Sequence, residues 1–171
     1  MPTATYAALI HADLDVLWGL LLDKLQSDEQ FMPGLERAEI VPLSVAEDPT
    51  GVARFRQQHD RRLYFSDGRL VEERVTIDEE RKNILLELRN DARYTGYVST
   101  VLLPCPFPEA TSGAHVLVRT MDWRAKRSLT DDEIEEGELL ATKIRESTLR
   151  LKHEVESLRW SLDDSKDPDD E

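Results

Sequence analysis

The stretch "LTDDEIEEGELLATKIRESTLRLKHEVESLRWSL", residues 129–162, decides the fold. It opens with Thr130 and Glu133 spaced as a capping box, in which hydroxyl and carboxylate each satisfy a backbone N–H that the first helical turn leaves unpaired. Ile134, Gly137, Ala141, Ile144, Thr148, Leu151, Val155, Leu158 and Leu162 then recur in alternating steps of three and four, one inward stripe on one long helix, residues 131–160. The same spacing would suit a coiled-coil seam, yet Gly137, Ala141 and Thr148 are poor knobs. Packing across a sheet fits better. Small residues on such a helix let a sheet curl around it without filling all the space, so a cavity can survive between the two.

The sequence before this helix supplies the sheet. "TATYAALIH" is a first strand, followed by "DLDVLWGLLLDKL", where Leu14, Leu17, Trp18, Leu21, Leu22 and Leu25 change to helical spacing behind Asp13 as cap. Ser27 and Gln30 read as the start of a second, very short helix that Pro33 and Gly34 stop. Six strands follow without an intervening helix: "ERAEIVPLSV", "GVARFRQQHDR", "RLVEERVTID", "NILLELRN", "RYTGYVSTVLL" and "AHVLVRTMDWR". Turn signals such as "EDPTG", "SDG" and "ATSG" separate them. That order predicts an α+β fold, a curved antiparallel seven-stranded sheet wrapped around a long C-terminal helix, with two short helices after the first strand. The 171 residues, 40% of them hydrophobic, suffice for one domain, expected over residues 1–162. The closing "DDSKDPDDE", residues 163–171, reads as a solvated acidic tail without fixed structure.

Charge and cysteine content narrow the function classes. A formal charge of −13 argues against nucleic acid or an anionic membrane surface as partner, since both need a basic face. A single cysteine, Cys105 in "LPCPFPE", excludes an internal disulfide; as a nucleophile it would need a nearby base, and a free thiol is the plainer reading. The N-terminus lacks the pattern of a signal peptide and no run is long enough to span a membrane, so a cytoplasmic protein is expected. The histidines at 11, 59, 115 and 153 show neither HxH nor HExxH spacing, and no glycine-rich phosphate loop or GxSxG elbow occurs. Neither a metal nor another cofactor is predicted.

Strand alternation singles out three inward charges. In "HVLVRTMDWR", Arg119 shares a face with Leu117, Met121 and Trp123. In "RLVEERVTID", Glu73 falls among Val71, Val75 and Ile77, and in "VARFRQQHDR" the parity of Ala53 and Phe55 includes Gln57 and His59. A glutamate, a histidine and an arginine on one concave surface fit acid-base chemistry. Glu73 would be a general acid or base, Arg119 would anchor a carboxylate or stabilise an enolate, and His59 would shuttle a proton. The structural alternative is a buried Glu73–Arg119 ion pair, with His59 exposed beside the turn "HDRRLYFSDG". Tyr94 and Tyr97 lie on opposite faces of their strand; Tyr97 is assigned to the cavity, with Tyr64 near its mouth. Phe55, Met121, Trp123, Ala141 and Ile144 complete the expected lining.

The order of elements resembles the helix-grip fold of the START, Bet v 1 and polyketide-cyclase superfamily. The pieces "VLWGLL", "FMPGLERAEIV", "LVEERVT" and the strand ending "TMDW" resemble its AtaL-like branch, named for a member of a fungal acetylaranotin biosynthetic cluster, over roughly residues 5–160. The resemblance implies a deep cavity between sheet and long helix, used in some members to carry apolar ligands and in others to cyclise, dehydrate or isomerise them. It also implies an apolar residue at position 119, where this chain has arginine. Two functions follow: a cofactor-free enzyme of secondary metabolism acting on a hydrophobic, polyketide-like intermediate, or a carrier of a lipid-like or aromatic small molecule. A third makes the protein a stabilising partner with a vestigial cavity, its long helix the interface of a homodimer.

Overall fold

The computed structural model describes residues 3–26, 34–42, 56–106 and 113–163, the side chains at 42, 56 and 158–163 excepted. The elements run β1 (Thr3–His11), α1 (Leu14–Gln26), β2 (Leu35–Pro42), β3 (Arg56–Phe65), β4 (Leu70–Asp78), β5 (Asn83–Leu88), β6 (Tyr94–Pro104), β7 (Ala114–Ala125) and α2 (Asp131–Asp163). The seven strands form one antiparallel sheet in the order β1-β7-β6-β5-β4-β3-β2, a meander from β2 to β7 that the N-terminal strand joins at its far edge. This is the predicted sheet with its long C-terminal helix. The short helix expected at Ser27 to Gln30, the residue Phe55 and the tail from 164 onward lie outside the described residues. The strand expected to end at residue 61 instead continues to Phe65, and Leu63 near its end is 1% exposed.

The helices form where their caps and stripes place them. Asp13 Oδ1 accepts from the backbone N–H of Asp15 at 2.9 Å and of Val16 at 3.3 Å, which fixes the start of α1. Thr130 N–H donates to Glu133 Oε2 at 2.9 Å and Glu133 N–H to Thr130 Oγ1 at 3.4 Å, the reciprocal capping box of α2. Of the α2 stripe, Gly137, Ile144, Thr148, Leu151 and Val155 are buried and Ala141 half-buried, whereas Ile134 in the first turn is 43% exposed.

α2 packs on β1 and β7, and α1 adds Leu17, Trp18 and Leu21 to a core that includes Ile10, Val75, Ile84, Leu102 and Leu117. Each such fully buried aliphatic side chain stabilises the fold by about 1.5–3 kcal/mol relative to exposure. α2 also covers the free edge of β1. Lys152 Nζ donates to the carbonyl of Leu9 at 2.5 Å, and Glu156 Oε1 accepts from His11 N–H at 3.0 Å. At the other end of α2, Arg127 holds Glu133 and Arg93 holds Glu136, at 2.6 and 2.5 Å. Where β6 passes β7, Gly96 adopts φ +140° and a Cβ there would lie 1.9 Å from the Asp122 carbonyl oxygen. Only glycine permits that approach.

Candidate functional site

Because residues paired across an antiparallel ladder share a face, the register maps the concave surface rung by rung. One rung reads Tyr6, Arg119, Thr100, Ile84, Ile77, Gln57, and the next Ala4, Met121, Val98, Leu86, Val75, His59. A third brings Glu73 opposite Arg61. Glu73, His59 and Arg119 therefore all face inward, as their parity predicts, but they do not meet. β4 and β7 are separated by β5 and β6, three strand spacings or about 14 Å along the sheet. The alternative, a buried Glu73–Arg119 ion pair, is therefore not formed. Glu73 is bound by Arg61, whose Nε donates to Glu73 Oε2 at 2.7 Å and whose Nη2 lies 2.7 Å from the same oxygen. Both residues are buried, and Arg61 Nη1 also donates to the Leu25 carbonyl at 3.4 Å, tying β3 to the end of α1.

Among the described residues two pockets open, one of about 520 Å³ beside Leu14, Lys82, Leu102 and His115, and one beneath α1 that the inward face of β3 reaches. A pocket of about 330 Å³ opens between Leu22 and Leu25 of α1, Ala38 and Ile40 of β2, Gln57, His59 and Arg61 of β3, and Ile77 with Glu79 at the end of β4. Beneath α2, by contrast, Leu117, Met121, Thr148, Leu151 and Val155 are at most 2% exposed and fill the interior. His59 stands half-buried in the pocket wall, and that burial pushes its imidazole below the ordinary value of 6.5 against the opposing pull of Asp60. The neutral, proton-accepting form is thus favoured. Glu79 at the rim is held below the usual carboxylate range by hydrogen bonds from Lys82 and from Trp18 Nε1, the latter at 2.8 Å.

The remaining predicted residues fall elsewhere. Met121, Trp123, Ala141 and Ile144 lie at the α2–sheet interface, outside the pocket lining, and Phe55 is outside the described residues. Tyr97 is 36% exposed on the convex face; Tyr94 takes the inward place, 1% exposed, its hydroxyl donating to the Glu133 carbonyl at 2.9 Å and its ring 5.6 Å from that of Trp123. The parity of Tyr94 runs with Gly96, Val98, Thr100 and Leu102, so the glycine does not shift the alternation. Tyr64 is also on the convex face, donating to Glu39 at 3.0 Å beneath the guanidinium of Arg37. Arg61 is absent from the sequence-based candidates because the predicted strand stops at that residue, yet the parity of His59 carried two residues further points to it.

Arg119 has its own surroundings. Its Nη1 donates to Ser147 Oγ of α2 at 2.7 Å, and its Nε is buried without an acceptor, as is Trp123 Nε1. Burial pushes its guanidinium below the ordinary arginine value. Among the described residues no group of three His, Cys, Asp or Glu side chains converges to hold a metal ion, and no helix is long and apolar enough to cross a membrane. Cys105 is a free thiol, half-exposed after β6.

No family model matches the sequence, and no curated protein matches it either. Solved structures do match in fold. An 18 kDa protein from Caulobacter crescentus superposes with a TM-score of 0.62 at 11% identity, over 93% of this chain and 99% of that one. A START superfamily protein from Mycobacterium smegmatis gives 0.55 at 13%, over 91% and 98%. The di-domain ARO/CYC StfQ from the steffimycin biosynthetic pathway gives 0.56 at 13% over 93% of this chain and 52% of its own, about one of its two domains. Identities this low establish the fold alone, a helix-grip arrangement that this chain shares with the START superfamily protein.

Proposed function

We propose that this protein is a cofactor-free enzyme that binds a mainly hydrophobic, oxygenated small molecule in the pocket beneath α1 and moves a proton on it with His59. One observation carries the reading: an imidazole biased towards its neutral form stands in a wall that Leu22, Leu25, Ala38, Ile40 and Ile77 share with Gln57, Arg61 and Glu79. A neutral imidazole accepts a proton at neutral pH, and a carbon acid flanked by carbonyls is the partner such a wall would select. Gln57 shares the strand face of His59 and brings an amide N–H towards a developing enolate oxygen. Arg61 and Glu73 neutralise one another beside the base, so Glu73 supports the site through Arg61. Cyclisation, dehydration and isomerisation of a polyketide-like intermediate all begin with this proton transfer. The setting is secondary metabolism in the cytoplasm, in keeping with the AtaL-like segments and with the ARO/CYC protein that shares the fold.

A volume of about 330 Å³ is at the low end for ligand pockets and suits a molecule of one or two rings. The apolar share of the wall favours a second reading, a carrier without chemistry. An aryl 1,3-diketone in D2O separates the two. The enzyme should accelerate deuterium uptake at the methylene between the carbonyls, with a rate that falls as pH drops below 6.5 and His59 becomes protonated. His59→Gln should slow exchange by roughly 10²–10⁴-fold while an apolar dye still binds. Binding without acceleration by the wild type leaves the carrier; dye affinity unchanged by Leu25→Trp removes the pocket from either reading.

A further inference from the structure

The pocket of about 520 Å³ lies outside the grip, for none of the residues that line it belongs to α2. It arises from unequal strand lengths. β5 begins at Asn83, opposite Val101, whereas β6 runs on to Pro104 and pairs there with His115 of β7 alone. Leu102 N–H, on the side that β5 has left, donates to the Lys82 carbonyl at 3.0 Å. Pro104, the next residue to face that way, has no N–H. This open edge therefore lacks the alternating donors that a further strand would need, and Leu102, Leu103 and Pro104 make it an apolar floor for a small molecule.

One end of the floor carries donors. Lys82 closes the β4–β5 turn with φ +48°, in the left-handed region that side chains other than asparagine or aspartate rarely adopt. Its ammonium lies 5.1 Å from the centroid of the Trp18 ring and 2.7 Å from Glu79 Oε1, and its remaining protons can serve another acceptor. The neighbouring Arg81 guanidinium is exposed and pairs with no carboxylate among the described residues. Asn83 Oδ1 accepts from Ser99 Oγ at 3.3 Å, which leaves the amide protons of Asn83 free to donate. Glu80 is the single carboxylate of the lining, against Arg81 and Lys82. The other end carries an acceptor. His115 Nδ1 lies 3.1 Å from the Ala12 carbonyl, which can only accept, so Nδ1 bears the proton and Nε2 of the neutral ring keeps a lone pair. β5 and β7 flank β6, so the two ends stand two strand spacings apart, about 10 Å.

We infer that this pocket is a second small-molecule site, for a hydroxyaryl carboxylate about 10 Å long. The carboxylate meets Arg81, Lys82 and the Asn83 amide, the rings lie against Leu102 and Pro104, and the far hydroxyl donates to His115 Nε2. The site uses nothing assigned to His59. It touches the α1 pocket at one point, because Lys82 also holds Glu79 at that pocket's rim, and Glu79 Oε2 accepts from Trp18 Nε1 at 2.8 Å. A second carboxylate on Lys82 weakens its hold on Glu79 and is thereby felt at the Trp18 indole N–H.

The test uses the full chain with 6-hydroxy-2-naphthoate as probe, and 2-naphthol and 2-naphthoate as analogues that each lack one polar end. The Trp18 indole N–H resonance, assigned through bonds in the wild-type protein by NMR, should shift saturably with the probe. Calorimetry should show the probe binding roughly 10- to 100-fold more tightly than 2-naphthol, the preference that hydrogen bonds to charged donors confer, and Arg81→Gln/Lys82→Gly should equalise the two. 2-Naphthoate should bind roughly 2- to 10-fold more weakly than the probe, a difference that His115→Phe removes. Leu103→Glu, at a position 46% exposed and so not needed for folding, should abolish binding by setting a negative charge on the floor. An unmoved Trp18 resonance overturns the site, as does binding that survives Leu103→Glu. His59→Gln should leave binding intact; its loss there would place the probe in the α1 pocket and overturn the second site while sparing the first.

Discussion

Arg61→Met removes one partner of an ion pair that the interior cannot replace. Arg61 is 3% and Glu73 7% exposed, and the substitution leaves the Glu73 carboxylate buried without its donor at 2.7 Å. It also takes away the donor of the Leu25 carbonyl, held at 3.4 Å. Breaking one side of such a pair costs about 3–5 kcal/mol, whereas replacing both sides by apolar residues of similar volume is neutral or stabilising. For a chain of this length each kcal/mol moves the midpoint by about 2–4 °C, so Arg61→Met should lower Tm by roughly 6–20 °C. Arg61→Met/Glu73→Leu should recover most of that loss. Differential scanning calorimetry at pH 7 on both variants and on Glu73→Leu closes the double-mutant cycle. A single variant within 2 °C of wild type, or a double variant as unstable as the sum of the singles, would refute the claim that the two groups are energetically joined.

Gly96→Ala should destabilise by about 3 kcal/mol or more, because it combines a strained φ of +140° with a Cβ only 1.9 Å from the Asp122 carbonyl oxygen; urea unfolding that shows less than 1 kcal/mol of change would mean that β6 and β7 separate there at little cost. Glu133, held by Arg127 and the Thr130 N–H, has its pKa lowered from the ordinary 4.5 to about 2. A folded value below the unfolded one contributes stability that is full above 4.5 and lost as pH falls towards 2, so the Tm gap between wild type and Glu133→Gln should be present at pH 7 and close over that window. A gap that stays constant down to pH 2 would assign the effect to helix capping geometry without charge.

The elements were legible because their periods are clean. The α2 stripe holds its three-four spacing for eight turns, and Val71, Val75 and Ile77 on one strand and Leu117, Met121 and Trp123 on another keep one parity, so the facing of Glu73 and Arg119 followed from parity alone. What parity does not contain is distance across the sheet. Glu73 and Arg119 share a face but stand three strands apart, and strand order is a property of the whole chain. Arg61 was hidden by the run "DRRLYF", whose charges read as a turn although Leu63 behind them is core. Tyr94 and Tyr97 illustrate a different limit. "YVSTVLL" places apolar residues on both parities, and only pairing with β5 and β7 shows that Val98 and Leu102 lead inward. The pocket of about 330 Å³ between α1, β2, β3 and β4 likewise follows from how those elements pack, which the period of no single element records.

The seam between β1 and β7 bears on how the protein is made. Its paired residues are separated by 103 positions at His11 and Ala114 and by 119 at Thr3 and Asp122. On a ribosome adding about 5–20 residues per second, β1 therefore waits roughly 5–24 s for the strand it pairs with to be synthesised. β2 to β6 can zip sequentially as they leave the exit tunnel, each next to the last. During that interval Ala8 and Ile10, at most 8% exposed in the finished fold, have no β7 to lie beside, and the bonds from Lys152 and Glu156 that shield their strand arrive last of all. Nascent chains stalled before residue 114 should accordingly engage trigger-type chaperones through their first eleven residues, and chains extended beyond 163 should release them.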